Sequence, residues 1–299
     1  MSCNLCLSQE AKSVWEFSDN FRMMKCKNCG FLYLFPQPKE ATAKALYTED
    51  YYLNLGVQYL KNDSKEIIDK KIEPIEKLLL KDIGYPEKNN NRLLEIGCAS
   101  GLYLKAAQRL GWDVYGVEVS EFASKFAREN LSLNVKTGKF EESDFPDEPF
   151  DFIVMIMLLE HLEDPKQVLT KINRLLKPGG KVFINTPNKH CLESIIFGKK
   201  WHEIFFPYHL CIFSPSTIRL LAKITGFEIE GLSTYRHLSN FINQTSDTKF
   251  STTANKLMVN NDEYREFRKV FKVPYKFVTR IIDEKLLLGE QLKVALRKC

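Results

Sequence analysis

An apolar run, Leu93 and Leu94, ends in Glu95 and opens into Ile96-Gly97-Cys98-Ala99-Ser100-Gly101. A helix length later the chain returns to a strand-like stretch, Val-Tyr-Gly-Val-Glu-Val-Ser, which carries Glu118. The glycines at 97 and 101 let backbone approach a ligand where a Cβ would clash. A helix starting at this loop turns free N–H groups and its positive end towards a carboxylate or phosphate. Glu118, at the tip of the next strand, can accept both hydroxyls of a ribose. Together these residues point to a nucleoside-bearing cofactor. Ala99 stands where a dinucleotide fingerprint needs its second glycine, so there is no ready place for a pyrophosphate and a nicotinamide dinucleotide is disfavoured. The plainer alternative is a strand-loop-helix turn whose glycines only ease packing.

A second constellation lies at the N-terminus, where Cys3 and Cys6 form one CxxC pair and Cys26 and Cys29 another. Two such pairs on facing turns deliver four thiolates to a tetrahedral Zn²⁺, and Gly30 suits a tight knuckle. With all four positions filled by cysteine no place is left for water, so the expected zinc is structural. A disulfide or a chance spacing is the competing explanation. Cys98, Cys191, Cys211 and Cys299 read as unpaired thiols.

The ExGxxxG pattern of Glu95 to Gly101 resembles motif I of class I S-adenosylmethionine-dependent methyltransferases, and Glu118 resembles the ribose-binding acid of that family. The resemblance implies that Glu95, Gly97, Cys98, Ala99 and Gly101 serve the methionine end of S-adenosylmethionine and Glu118 its ribose. It also implies that Phe140, opening Phe-Glu-Glu-Ser, flanks adenine, and that Ile156 faces the donor through backbone or steric contact. A core role for Phe140 is the alternative. Leu-Leu-Glu-His at 158–161 is similar to the family's LEH segment, and in ubiquinone-pathway O-methyltransferases an ExxEH arrangement there is associated with a divalent metal. Met157 occupies the place of the first acid, which puts that metal in doubt. The stretch Trp201 to Phe227 resembles a segment of zinc-module methyltransferases acting on deoxysugar nucleotides, in which a histidine is the proposed base. His209 matches that histidine, and Tyr208 replaces the glutamate beside it, removing the acid expected to orient the ring. His161 and His209 are the candidate catalytic residues, since methyl transfer needs an aligned acceptor and a group to take its proton, work that suits histidine near neutral pH. A purely structural role for each, holding its loop by hydrogen bonds or capping a helix, is the alternative.

The elements that must hold these residues alternate as a doubly wound parallel sheet requires. Pro149 to His161 is a continuous apolar run, as expected of a central strand buried on both faces. Leu175 to Asn188 reads as helix end, turn and fifth strand. Asp164-Pro165 and Ser214-Pro215 each place a capping side chain before a proline at the first helical position, with Gly179 and Gly226 beyond the ends; Ser120 caps a third helix carrying Phe122 and Phe126. Ile68, Ile72, Ile75 and Leu79 recur at helical spacing, and Pro74 is expected to restart or kink that helix. Tyr47, Tyr51 and Tyr52 could line a pocket mouth, or simply pack the small module onto the large one. Phe227 to Tyr235 should be a sixth strand and Gly289 to Lys298 its antiparallel partner. The intervening stretch, with Phe267, Val270, Phe271, Val278, Ile281 and Ile282, reads as a helical insert. The expected fold class is α/β: a seven-stranded, mostly parallel, Rossmann-like methyltransferase sheet. It carries a zinc-ribbon-like module at 1–35, a helical connector at 36–91, the methyltransferase domain at 92–299 and the insert at 236–288.

Composition narrows the partners. The 299 residues are 44% hydrophobic, enough for a substantial core, and 43 Lys and Arg against 38 Asp and Glu leave a net charge of +5. That surplus is too mild to demand nucleic acid or an anionic membrane. No basic-then-apolar leader opens the chain and no apolar stretch approaches a membrane span, so a cytoplasmic protein with reduced thiols is expected. The resemblance implies a methyltransferase acting on a small-molecule acceptor, such as a nucleotide-linked or polysaccharide sugar or a similar hydroxylated metabolite. An RNA-base or protein methyltransferase is one alternative, weakened by the lack of clustered Lys and Arg in the cysteine module and of an NPPY-type acceptor motif. A non-catalytic S-adenosylmethionine-binding protein is another. Neither the acceptor atom nor an oligomeric state follows from the sequence.

Overall fold

The structure is a computed structural model that describes residues 2–17, 21–38, 48, 51, 65–88, 91–145, 148–235 and 286–299. Strands β1 (Ala11–Glu16), β2 (Arg22–Cys26) and β3 (Leu32–Phe35) precede helix α1 (Lys65–Asp82). Then come β4 (Arg92–Ile96), α2 (Leu102–Arg109), β5 (Asp113–Glu118), α3 (Glu121–Leu131), β6 (Val135–Thr137) and β7 (Phe150–Ile156). The chain continues with α4 (Pro165–Leu175), β8 (Leu176–Pro187), α5 (Leu192–Phe197), β9 (Cys211–Ile212), α6 (Pro215–Ile224), β10 (Phe227–Tyr235) and β11 (Gln291–Lys298). The proposed insert falls almost wholly on 236–285, outside the described residues, as do Tyr47 and Tyr52.

Seven strands form one sheet in the order β10-β11-β8-β7-β4-β5-β6. Pairing is parallel from β8 through β6, while β11 runs antiparallel to both β8 and β10. Side chains alternate across the pleat, so Ile153 and Met155 of β7 join the core under α4 and α6 while Phe152 and Val154 join the core under α1, α2 and α3. Burial on both faces explains why β7 reads as an unbroken apolar run. Strand order reverses about β4 and β7, and the crevice beyond their carboxyl ends is where such sheets take ligands.

The capping signals hold. Ser120 Oγ accepts from the Ala123 N–H, Asp164 from Gln167, and Ser214 and Thr217 form a capping box. Two local expectations are corrected. Helix α1 runs through Pro74 without a restart, because that proline lies on the exposed face, where water can serve the carbonyl left unpaired. Lys177 to Gly180 do not form a separate turn before the strand: β8 begins at Leu176 opposite Phe150, resumes pairing at Lys181 opposite Phe152, and accommodates the four residues between as an irregularity.

A second sheet, β1-β2-β3-β9, carries the cysteine turns. Its last strand comes from far along the chain: Leu32 pairs with Ile212 and Tyr33 with Cys211, and the Leu34 N–H donates to the Leu210 carbonyl. The sheet bearing the four thiols is thereby sewn to the loop that carries His209.

Candidate active site

The loop between β4 and α2 takes left-handed backbone at Gly97 (φ 69°), Ala99 (φ 47°) and Gly101 (φ 81°). A Cβ on Gly97 would lie 2.8 Å from Leu158 Cδ1 and one on Gly101 2.7 Å from Leu133 Cδ1, so both glycines serve close packing as well as conformation. Ala99 tolerates its unusual φ because its N–H is claimed by Glu118 Oε2 at 2.9 Å. The other oxygen of Glu118 accepts the Ser120 N–H at 2.8 Å, so one buried carboxylate fixes the loops after β4 and β5 together. A carboxylate has about four lone-pair sites, which leaves capacity for a diol.

Glu95 is buried, and its Oε2 has no hydrogen-bond partner. Burial, then the neighbouring Glu118, pushes its carboxyl well above the usual carboxylate range, against a backbone hydrogen bond at Leu104. An orphaned acceptor beside a second carboxylate marks a place for positive charge. Tyr103, pushed up to about 12 by burial and then by Glu95 and Asp82, closes this end. Cys98 is buried with its thiol raised by the same burial and by both acids, hence inert. Phe140 sits in the core, tilted against Phe145 at 5.6 Å, while Lys171 lies over its ring and donates to the carbonyls of Phe140, Glu141 and Ser143. Ile156 ends β7 half-buried and is followed by Met157 at φ 49°, whose N–H donates to the Asn185 carbonyl at 2.8 Å.

Past that bend the chain forms a short 3₁₀ turn, Leu159–His161, and brings together residues that are distant in sequence. The rings of His161 and His209 meet edge to face with centroids 4.7 Å apart. His161 Nδ1 is 3.1 Å from the Tyr208 carbonyl and His209 Nδ1 is 2.7 Å from that of Glu203. A carbonyl only accepts, so each Nδ1 carries the proton and each Nε2 keeps its lone pair. Burial holds both imidazoles below the ordinary histidine value; the second ring adds to this at His161, while Glu203 opposes it at His209. Fully buried Glu160 accepts from Thr186 Oγ1 at 2.9 Å through Oε2, while its Oε1 lies 3.9 Å from His161 Nε2 without a hydrogen bond. Burial lifts this carboxyl to about 8. Glu160, His161 and His209 each offer a ligand atom within 4.8 Å of the others.

The expectation that Tyr208 leaves His209 unoriented is corrected by the Glu203 backbone carbonyl, which does the orienting. Tyr208 itself stacks on Phe205 at 4.6 Å and on Tyr51 at 5.0 Å. Tyr51 also feels both Glu118 and Glu160, so it stands between the donor loop and the histidines. Sequence reasoning missed Glu203 and Thr186; the position of Thr186 at the carboxyl end of β8 was an available signal, whereas a backbone carbonyl leaves none.

At the N-terminus the Sγ atoms of Cys3 and Cys29 are 3.7 Å apart and those of Cys6 and Cys26 3.6 Å, with all four within 4.8 Å. Tetrahedral Zn–S bonds of about 2.3 Å place sulfurs about 3.8 Å apart, so the cluster has the dimensions of a Cys₄ site. Burial works against the Cys6 thiolate, but hydrogen bonds at Ser8 and from Asn28 prevail and bring it down to about 7.

A family model described as a methyltransferase domain matches residues 65–232, more than half of the chain. This chain is a class I S-adenosylmethionine-dependent methyltransferase. The methyltransferase is 30% identical over 172 residues to a ubiquinone biosynthesis O-methyltransferase of Thiobacillus denitrificans, covering 52% of this chain and 74% of that one. It is 30% identical over 151 residues to the protein of the same name from Maricaulis maris, covering 46% and 59%. Among solved structures, the magnesium protoporphyrin IX methyltransferase of Synechocystis PCC 6803 superposes with a TM-score of 0.52 at 12% identity, covering 87% of this chain and all of that one. A SAM-dependent methyltransferase from Archaeoglobus fulgidus gives a TM-score of 0.51 at 20% identity, covering 79% and 100%. These last two likenesses concern the fold of the methyltransferase.

Proposed function

We propose that the chain methylates an oxygen of a small hydroxylated metabolite, with His209 as general base and His161 beside it. The observation that carries this reading is the pair of buried imidazoles meeting at the crevice, with His209 turned by the Glu203 carbonyl on Nδ1 so that its Nε2 is the proton acceptor. S-adenosylmethionine supplies an electrophilic methyl on a sulfonium. Glu118 holds the ribose, Glu95 the ammonium, and the glycine loop admits the methionine backbone. His209 Nε2 takes the acceptor's hydroxyl proton as its oxygen bonds to the methyl carbon; the breaking C–S pair stays on sulfur, and the proton later passes to solvent. The sequence relatives are named for O-methylation, which supports oxygen as the acceptor atom. A nucleotide-linked or polysaccharide sugar is our reading of the acceptor. His209→Ala should leave affinity for S-adenosylhomocysteine nearly intact and lower turnover about a hundredfold or more. Unchanged turnover removes His209 from the mechanism.

A second reading is favoured by the convergence of Glu160 with the two Nε2 atoms: these three groups would hold a divalent cation that acidifies the acceptor hydroxyl. Titration with a divalent cation after a chelator treatment mild enough to leave the cysteine-bound zinc in place decides between them, since a base mechanism leaves turnover independent of that cation. We further propose that Cys3, Cys6, Cys26 and Cys29 hold one structural zinc, for which metal analysis should return one equivalent per chain.

A further inference from the structure

A cavity of about 790 Å³ opens between the cysteine-bearing sheet and the methyltransferase sheet, sharing none of the residues assigned above to donor or acceptor. Part of its lining is apolar: Val14 and Trp15 of β1, Leu32 of β3, Ile195 of α5 and Leu287. The rest includes cations, for Lys25 of β2, Lys189 after β8 and Arg219 of α6 all line it, as does His190. No Asp or Glu does so among the described residues, and none of the three cations has a carboxylate or hydrogen-bonding partner there. Lys189 Nζ rests 5.7 Å from the centre of the Trp15 ring. Half-buried, it is held below the ordinary lysine value by that burial, with Lys25 adding its repulsion against the opposing effect of Cys191. Two like charges and a third, gathered in one cleft without a counter-charge among the described residues, produce a repulsion that an anion would relieve. The first turn of α6, Ser214 to Ser216, completes the wall with hydroxyl groups. The volume lies inside the range of small-ligand sites, and an apolar wall with a few convergent polar groups is their usual make-up.

We propose that this cavity binds a phosphate-bearing ligand, with the phosphates on Lys25, Lys189 and Arg219 and a flat or apolar body against Trp15. The inference does not depend on the catalytic reading above. His209 and Ser214 are five residues apart on an extended segment, hence no more than about 18 Å. A ligand anchored here can therefore be the far end of the acceptor or a separate effector, and the chemistry of recognition is the same for both.

Isothermal titration of the whole chain with uridine diphosphate, and separately with inorganic phosphate, tests it. Uridine diphosphate should bind, weaken as salt is raised, and lose at least tenfold in affinity in each of Lys189→Ala and Arg219→Glu, while affinity for S-adenosylhomocysteine stays unchanged. Arg219 is exposed, so its replacement leaves folding intact. No binding, or equal affinity in both variants, overturns the proposal; inorganic phosphate binding as tightly as the diphosphate overturns the role given to Trp15. Methyl incorporation from labelled donor into extract acceptors then separates the sources. Suppression by uridine diphosphate that excess extract relieves assigns the cavity to the acceptor's far end, and incorporation that is changed but not relieved, or unchanged, assigns it to another ligand; each supports the cavity as a site.

Discussion

At the scale of single residues, Glu118 does two tasks with one carboxylate. It already holds Ala99 and Ser120 before any diol arrives, so the donor loop is shaped in advance and less ordering is left for binding. Glu118→Gln forfeits the charge and one acceptor oxygen, and turns an amide NH₂ towards the N–H of either Ala99 or Ser120. Calorimetry with S-adenosylhomocysteine should show affinity falling about ten- to a hundredfold, roughly 1.4 to 2.7 kcal/mol. Gly97→Ala forces a side chain into left-handed backbone, at about 1–2 kcal/mol, and against Leu158; urea unfolding should record a loss of at least that size. The histidines give a pH test. Since burial depresses both imidazoles, His209 stays neutral below the ordinary value of about 6.5, and kcat/KM should hold level from pH 8 down to that point and fall only beneath it. A decline beginning above pH 7 would contradict the assignment. Glycine spacing and the strand-tip acid were legible in the sequence because each acts through a nearby stretch of backbone. The meeting of His161 with His209, 48 positions apart, and the service of the Glu203 carbonyl were not, because both depend on loops folding over one another.

At the scale of elements, β9 is two residues long and joins two sheets. Its pairing with β3 ties the cysteine turns to Leu210, which adjoins His209 and donates its own N–H to the Glu160 carbonyl. Loss of the proposed zinc should therefore be felt at the histidines. Chelation, or Cys26→Ser, is expected to raise amide exchange across 209–213 and to lower turnover severalfold, while exchange in β4 and β5 stays as before. Equal protection at 209–213 with and without metal would show the two sheets to be independent. The paired CxxC signature announced the cluster, but nothing in the spacing of β3 foretold a partner strand some 180 residues on. Helix α1 is fastened as well: Arg109 of α2 bonds Asp69 and Glu76, and Asp82 takes Lys293 of β11 on both oxygens at 2.7 and 2.6 Å. Asp82→Ala should cost about 3 kcal/mol by strand-ing a largely buried lysine, and adding Lys293→Met should recover part of it; denaturant titrations of both variants give the comparison.

At the scale of the whole molecule, the alternation of apolar runs with capped helices was enough to read a doubly wound parallel sheet, since it rests on periodicity within each segment, while the count of seven strands came with the resemblance to the methyltransferase family. Where the final strand would sit among the others was not readable. It lies inside the sheet, between β8 and β10. A nascent chain emerging from the ribosome has therefore made ten of the eleven strands while a gap still separates two of them, and the edges of β8 and β10 stay open to stray pairing until residues 291–298 arrive. Those residues are made after both of their neighbours, so the number of residues between β10 and β11 sets how long the vacancy lasts.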